Sequence, residues 1–211
     1  MKEAGVINRK TESDLNRKQN EDVYRLDLDP IRGSSQSHGL IHDLDRLPSI
    51  DSQASFNEFC REVCRLWRKH YPEGQRAVLP EFQRLAQQIV AGAIDNQVIQ
   101  TSWGGVVVTR HQHPDVEKFL IVRQGKFLAL EKHAEKDETL EVKEGGGILL
   151  LRDGCEHTLA VHELQPGDTF HFKPHVEHCV IGTEDLLLFE RSTDPLGMDQ
   201  DLLFIYTPEE G

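Results

Sequence analysis

The hydrophobic pattern of this chain changes its period once, near residue 94. Before that point apolar side chains recur every three or four residues, which is typical of helices with one buried face. After it, short segments alternate apolar and polar positions and are separated by glycine-rich or charged turns. The pattern therefore predicts a helical part followed by many short antiparallel strands, as in a β-sandwich or barrel.

Two amphipathic helices are predicted in the first part. One follows a capping-box pattern at Ser55 and Glu58 and ends near Tyr71, and the other has Pro80 at its first position and ends at Gly92. Residues 1–50 are polar, and we expect them to be partly disordered. Within them, residues 23–28 alternate apolar and polar positions and could add a short strand to the barrel edge. We divide the chain into segment 1–50, helical extension 51–96 and barrel 97–211.

Charge and composition narrow the function classes. A net charge of −12 and a pI near 5.3 argue against nucleic acid and anionic membrane as partners. The apolar runs are too short to span a bilayer, and the N-terminus lacks the apolar core of a signal peptide. We expect a cytoplasmic protein, with its four cysteines reduced.

One candidate metal-binding segment is GVVVTRHQHPDVEKFLIVRQG, from Gly105 to Gly125. Its first half is rich in β-branched residues and predicts a strand, on which His111 and His113 share one face. Glu117 follows a Pro-Asp corner at the same parity. Two imidazoles and a carboxylate form a ligand set for a divalent transition metal.

A second segment, residues 164–178, contains a turn, a short strand, another turn and then His178. Together the two segments resemble the motifs of the cupin superfamily. The first family motif is glycine, five residues, His-x-His, three or four residues, glutamate, about six residues and glycine. The second supplies another histidine after a Pro-x-Gly turn. The resemblance covers roughly residues 98–207.

The chain departs from both motifs. Seven residues separate Glu117 from Gly125, so keeping the family spacing to that glycine would put Lys118 in the glutamate position. We prefer Glu117, because it shares its parity with both histidines and a bulge would accommodate the extra residue. In the second segment His175 replaces the usual glycine, and two further substitutions are Lys173 for proline and Gly182 for asparagine.

The resemblance implies an all-β double-stranded β-helix, the cupin jelly-roll barrel, here with an N-terminal α-helical extension. It also implies one divalent transition metal, Fe, Mn, Ni, Co or Zn, bound by His111, His113, Glu117 and His178.

Such a site favours a metal-dependent enzyme acting on a small polar molecule. We expect isomerisation, epimerisation or lyase chemistry on a sugar, sugar phosphate or organic acid, with the candidate proton-transfer residues His171, His175 and Glu177. A non-haem iron dioxygenase and a non-catalytic ligand-binding or regulatory cupin remain alternatives. A homodimer is expected, because a barrel of this kind has an open sheet edge to cover.

Overall fold

The computed structural model describes residues 23–33, 38–72, 80–93, 97–152 and 157–209. The helices are α1 (His38–Leu44), α2 (Gln53–His70) and α3 (Pro80–Val90), with a 3₁₀ turn at Pro30–Gly33. The strands are β1 (Arg25–Asp27), β2 (Gln97–Thr101), β3 (Gly104–Gln112), β4 (Asp115–Val122), β5 (Leu130–His133), β6 (Asp137–Glu144), β7 (Gly147–Arg152), β8 (Thr158–Leu164), β9 (Thr169–Phe172), β10 (Glu177–Gly182), β11 (Leu186–Thr193) and β12 (Leu202–Tyr206).

The strands form two six-stranded sheets, ordered β1-β8-β7-β10-β5-β12 and β2-β3-β4-β11-β6-β9. Every strand pair is antiparallel except β1 with β8. The inward residues of both sheets share one apolar core, which includes Leu128 and Val180 from the first sheet and Leu140 and Leu188 from the second. This jelly-roll arrangement confirms the predicted fold class.

The outer face of the first sheet is covered by the N-terminal segment. Phe56 on α2 is fully buried, stacks on Tyr206 and meets Phe127 edge to face. Ser52 caps α2 through a capping box with Ser55, so the N-cap lies three residues before the predicted one. The predicted strand near residues 23–28 is confirmed as β1, while the disorder predicted for residues 1–20 lies outside the described residues.

The outer face of the second sheet is covered by α3. Leu85 of this helix packs against Val107 and Leu187. The backbone N–H of Phe82 in its first turn donates to Oε2 of Glu144 at 2.9 Å, which satisfies an otherwise unpaired helix donor. Within the described ranges, no helix combines the length and the apolar character needed to cross a membrane.

The helical extension should therefore be part of the cooperative fold. We expect Phe56→Ala to lower the free energy of unfolding by about 3–5 kcal/mol, because a fully buried aromatic side chain leaves a cavity between helix and sheet. Val90→Ala is the control, since Val90 is 88% exposed on α3. Urea unfolding followed by circular dichroism measures both, and similar midpoints for the two variants would contradict this assignment.

Candidate metal centre

The barrel contains a cavity of about 310 Å³ that is partly open to solvent. One part of its wall is apolar and includes Trp103, Val106, Leu120 and Leu128. The other part carries charged and polar side chains from β4, β5, β6, β10 and β11 and from the connecting segments: Lys118, Glu131, His133, Lys136, Glu138, His178, Glu190 and Asp199. Most of these charged and polar side chains are themselves buried, so their charges interact more strongly than they would in water.

Glu131, His133 and His178 meet at the polar part of this cavity. Glu131 and His133 are two residues apart on β5 and face the same way, and His178 on β10 lies directly opposite Glu131 in the antiparallel register. Their nearest nitrogen and oxygen ligand atoms all lie within 4.8 Å of one another. Among the described residues, this is the only such group of three or more histidine, cysteine, aspartate or glutamate side chains.

Both imidazoles are oriented by an acceptor at Nδ1. The Nδ1 atom of His133 lies 2.9 Å from Oδ1 of Asp201, and that of His178 lies 3.2 Å from the carbonyl oxygen of Val176. A proton on each Nδ1 satisfies these acceptors, so Nε2 is the atom of each ring that would bind a cation. Second-shell acceptors of this kind commonly orient metal-binding histidines.

The two Nε2 atoms point toward Glu138 on β6. Nε2 of His178 lies 3.0 Å from Oε1 of Glu138, and Nε2 of His133 lies 3.9 Å from Oε2. Burial raises the pKa of Glu138, but Lys136 and His178 outweigh it and hold the pKa well below its usual range. Burial lowers the pKa of His178, yet the hydrogen bond to Glu138 raises it above its usual value. A proton therefore stands between these two groups where a cation could replace it.

Glu131 is the least compensated acid of the group. Burial raises the pKa of its carboxyl to about 7, although the nearby His178 lowers it. Within the described residues, no side chain or backbone group donates a hydrogen bond to this carboxylate. A half-buried acid that faces the cavity without a donor, beside two oriented imidazoles, fits the chemistry of a divalent metal ligand.

A network of ion pairs continues from Glu138 into the rest of the cavity. Nζ of Lys136 contacts Glu138, and it lies 2.7 Å from Oε1 of Glu190 and 2.8 Å from Oδ1 of Asp199. Nζ of Lys118 lies 2.5 Å from Oδ2 of Asp199 and 3.2 Å from Oε2 of Glu190. Burial lowers the pKa of both lysines, but these carboxylates raise it above its usual value. Both lysines remain charged.

The structure does not bring the four predicted metal ligands together. His178 lines the cavity, but His111 and His113 are exposed where the β3–β4 hairpin turns, and Glu117 pairs with Arg110 at 3.6 Å. The physical reason is the register of this hairpin. A bulge between Val108 and Arg110 shifts the parity of β3, and the inward positions of β4 include Lys118 rather than Glu117.

None of the three predicted proton-transfer residues lines the cavity. His171 is exposed on β9, and its Nε2 lies 2.7 Å from Oδ1 of Asp137. His175 is exposed in the turn that precedes β10. Glu177 is buried, but it faces outward, where it accepts hydrogen bonds from Tyr24, Lys132 and Arg152. Glu177 is therefore neutralised by structural contacts instead of facing a substrate.

The metal-centre residues that the sequence interpretation missed do have a signal in the chain. Gly125 is followed after five residues by Glu131-Lys132-His133, then after four by Glu138, and after six more by Gly145. This is the first cupin motif with Glu131 in place of the first histidine. Both glycines have left-handed backbones, with φ of 79° and 84°, and a Cβ on Gly145 would lie 1.9 Å from the carbonyl oxygen of Asp185.

The turn before His178 has the backbone conformation expected of the second cupin motif. His175, in its glycine position, has a φ of 72°, and its N–H donates to the carbonyl oxygen of His133 at 2.7 Å. The turn before His178 is thereby tied to the strand that carries His133. The barrel has the cupin fold.

Solved structures with a similar fold include several cupin proteins. They include the capsular polysaccharide assembling protein CapF from Staphylococcus aureus (14% identity, TM-score 0.45) and the oxalate decarboxylase of Lactobacillus farciminis (15%, 0.45). Each match covers 53% of this chain and 34% of the other chain, so this chain spans about a third of the length of those proteins. KdgF from a Halomonas species matches at 18% identity and a TM-score of 0.41, over 48% of this chain and 87% of its own.

No protein-family model matches this sequence, and no curated protein matches it significantly. The solved structures described above match at TM-scores below 0.5, so the chemistry of this chain has to be argued from its own residues.

The raised pKa of Glu131 predicts a pH dependence of stability in the metal-free protein. The folded state holds this proton up to about pH 7, whereas the unfolded chain releases it near the ordinary value of 4.5. The folded state therefore binds more protons in this window, and the free energy of unfolding should fall as pH rises from about 4.5 to 7. The fall due to Glu131 should be roughly 3 kcal/mol at most.

Chemical unfolding of chelator-treated protein across this pH range measures the effect. Glu131→Gln should flatten the decline, because it removes the titrating group, whereas Glu141→Gln on the outer side of β6 should leave it unchanged. An equal slope in wild type and Glu131→Gln would show that Glu131 titrates normally.

Proposed function

We propose that this chain is a metal-dependent cupin enzyme acting on a small polar substrate. The observation that carries the proposal is the convergence of Glu131, His133 and His178 on one cavity. These three residues would hold the ion, with Glu138 beside both imidazoles as a further carboxylate donor. When bound, a divalent transition metal supplies Lewis acidity toward a carbonyl or hydroxyl group.

The remaining cavity residues support proton-transfer chemistry on a small molecule. The cavity volume of about 310 Å³ lies at the low end for ligand pockets and suits a substrate the size of a monosaccharide derivative or an organic acid. Lys118 and Lys136 remain charged, so they stabilise negative charge instead of accepting protons. Glu190, fixed on β11 and lining the cavity, is the carboxylate we assign as proton acceptor.

We infer that isomerisation, epimerisation or lyase chemistry on a sugar, sugar phosphate or organic acid is the best match for these features. All three reactions need an electrophile at one oxygen and a base near an adjacent carbon. A fixed carboxylate would supply the base, and two buried ammonium groups would stabilise the developing charge.

A non-haem iron dioxygenase is the second candidate. Two histidines and one carboxylate are the ligand composition associated with Fe(II) oxygenases, and Glu131, His133 and His178 have that composition. The two candidates differ in whether Glu138 also contributes a ligand, and in whether oxygen is consumed.

The ligand assignment can be tested by metal content. Protein purified without chelator or a nickel column should contain about one equivalent of a divalent transition metal by elemental analysis. His133→Ala and His178→Ala should lose it, because each removes one of three central donors. Asp201→Asn should weaken binding roughly 10- to 100-fold, because Asp201 orients His133.

The double variant His111→Ala/His113→Ala is the matched control, because it removes two imidazoles that are exposed outside the cavity. It should retain the full metal content. Loss of the metal from this double variant, with retention in His133→Ala, would overturn the assignment in favour of the ligand set that the sequence alone suggested.

The reaction class can be tested with the metal-loaded protein and a panel of aldoses, uronic acids and hydroxy acids in deuterated water. We expect deuterium to appear at a substrate carbon by NMR without oxygen uptake, because isomerases and epimerases exchange a carbon-bound proton with solvent, and a lyase would instead give an unsaturated product. Glu190→Gln should reduce the rate roughly 100-fold or more while retaining the metal. Oxygen consumption by the Fe(II)-loaded protein without exchange would favour the dioxygenase.

A further inference from the structure

Asp199 places a carboxylate between the two lysines of the cavity. Its Oδ2 lies 2.5 Å from Nζ of Lys118, and its Oδ1 lies 2.8 Å from Nζ of Lys136. Each oxygen therefore pairs with a different ammonium group, which is the way in which a bound carboxylate ligand would be held.

Asp199 differs from the other acids that contact these lysines. Glu138 and Glu190 are on strands β6 and β11, and their side chains are only 4% and 3% exposed. Asp199 is on the loop between β11 and β12, and its side chain is 27% exposed. It is therefore the one acid of this group that can leave the lysines for solvent without moving a strand.

The loop that carries Asp199 has a backbone built to present this side chain. Gly197, Met198 and Asp199 all have left-handed φ values, of 79°, 51° and 59°. Such a run is uncommon for residues other than glycine. The loop is fixed at both ends: the Asp194 carboxylate accepts from the N–H groups of Gly197 and Asp199, and Asp201 accepts from those of Glu135 and Lys136. The backbone is anchored, and the Asp199 side chain can rotate about its own bonds.

We propose that Lys118 and Lys136 form a binding subsite for the carboxylate of a small substrate, and that Asp199 occupies this subsite until the substrate displaces it. The inference rests on the proposed function for the rest of the substrate, and it narrows the substrate class to molecules that carry a carboxylate.

The subsite is close enough to the candidate metal centre for one small molecule to bind at the lysine pair and at the metal centre together. Lys136 contacts Glu138, and Glu138 contacts His178, so a single carboxylate side chain separates the lysine pair from the metal centre. The same cavity of about 310 Å³ is lined by both lysines and by both imidazoles, so one small molecule could contact the two sets of groups.

The charges of the cavity favour a monoanion. Its four acids are Glu131, Glu138, Glu190 and Asp199, and its cations are Lys118 and Lys136. With a divalent ion bound and all four acids ionised, these charges cancel. Rotation of Asp199 into solvent leaves one unpaired positive charge in a poorly solvated site, and such a charge is costly unless an anion replaces it.

The test compares two probes that differ mainly in the carboxylate. Gluconate carries a carboxylate where the neutral polyol sorbitol has a hydroxymethyl group, and isothermal titration calorimetry measures the binding of both. In Asp199→Asn the competing carboxylate is gone, so gluconate should bind roughly tenfold tighter than to wild type, while sorbitol binding should change less than about twofold. Asparagine and glycine both tolerate a left-handed φ, so Asp199→Gly serves as a second variant if Asp199→Asn folds poorly.

Two further variants show whether the lysines are responsible. Lys118→Met in the Asp199→Asn background should abolish the gain in gluconate affinity. Glu141→Gln makes the same change in net charge on the outer side of β6, and it should leave the affinity at the wild-type value. No gain in either Asp199 variant, or an equal gain for sorbitol, would overturn the proposed subsite.

The titrations are carried out on both metal-loaded and metal-free protein, with metal content measured in each sample. The gain should appear in both forms, because the lysines and not the ion recognise the carboxylate. Absence of bound metal would refute the metal-dependent function, and the effect of Asp199 on gluconate binding would still be decided in the metal-free samples.

Discussion

The interior of this barrel depends on the mutual neutralisation of buried charges. Lys118 and Lys136 are only 5% and 2% exposed, and an isolated ammonium group at such a depth would cost several kcal/mol. Glu138, Glu190 and Asp199 offset that cost, since each lies in direct contact with at least one of the lysines. Removing a partner without replacing it leaves a charge unpaired, so the nearly fully buried Glu138 and Glu190 are held against the lysines. That arrangement also fixes Glu138 against His178.

The outer surface of the same strands supports this arrangement. Because side chains alternate along a strand, Lys132 faces outward between Glu131 and His133, and Glu177 faces outward beside His178. Lys132 and Glu177 pair at 3.0 Å, and Glu177 also accepts from Tyr24 in the N-terminal segment. The strands that carry the metal-centre residues are thus cross-linked on their outer face by the segment that precedes the barrel, which gives the helical extension a role in positioning the site.

The sequence predicted the fold well because the fold follows from the period of the hydrophobic residues. The two longer helices, the strands and the short strand near residue 25 follow from local alternation and spacing, whereas α1 lies in the segment predicted to be polar and partly disordered. His178 was also found, because its turn keeps most of the family pattern. The first motif was assigned to β3 instead of β5, because His111-Gln112-His113 supplies the expected residue types, whereas Glu131-Lys132-His133 supplies the expected glycine spacing with one histidine replaced.

Side-chain parity could not correct that choice from the sequence alone. It favoured Glu117 over Lys118 on the assumption that β3 is regular, and the bulge after Val108 breaks this assumption. The ion pairs in the cavity could not be predicted from the sequence for a different reason. Lys118, Lys136, Glu190 and Asp199 lie far apart along the chain, and nothing local marks them as neighbours.

The replacement of a histidine by Glu131 connects the metal centre to the lysine pair. A carboxylate in place of a neutral imidazole lowers the net charge of the ligand set by one, which makes a bound cation a weaker electrophile. The two buried ammonium groups offset part of the negative charge of the same cavity, and one of their three partners, Asp199, is on a loop. In the proposed subsite an external carboxylate takes the place of the Asp199 carboxylate between the lysines, so the cavity would bind its substrate without changing its charge balance.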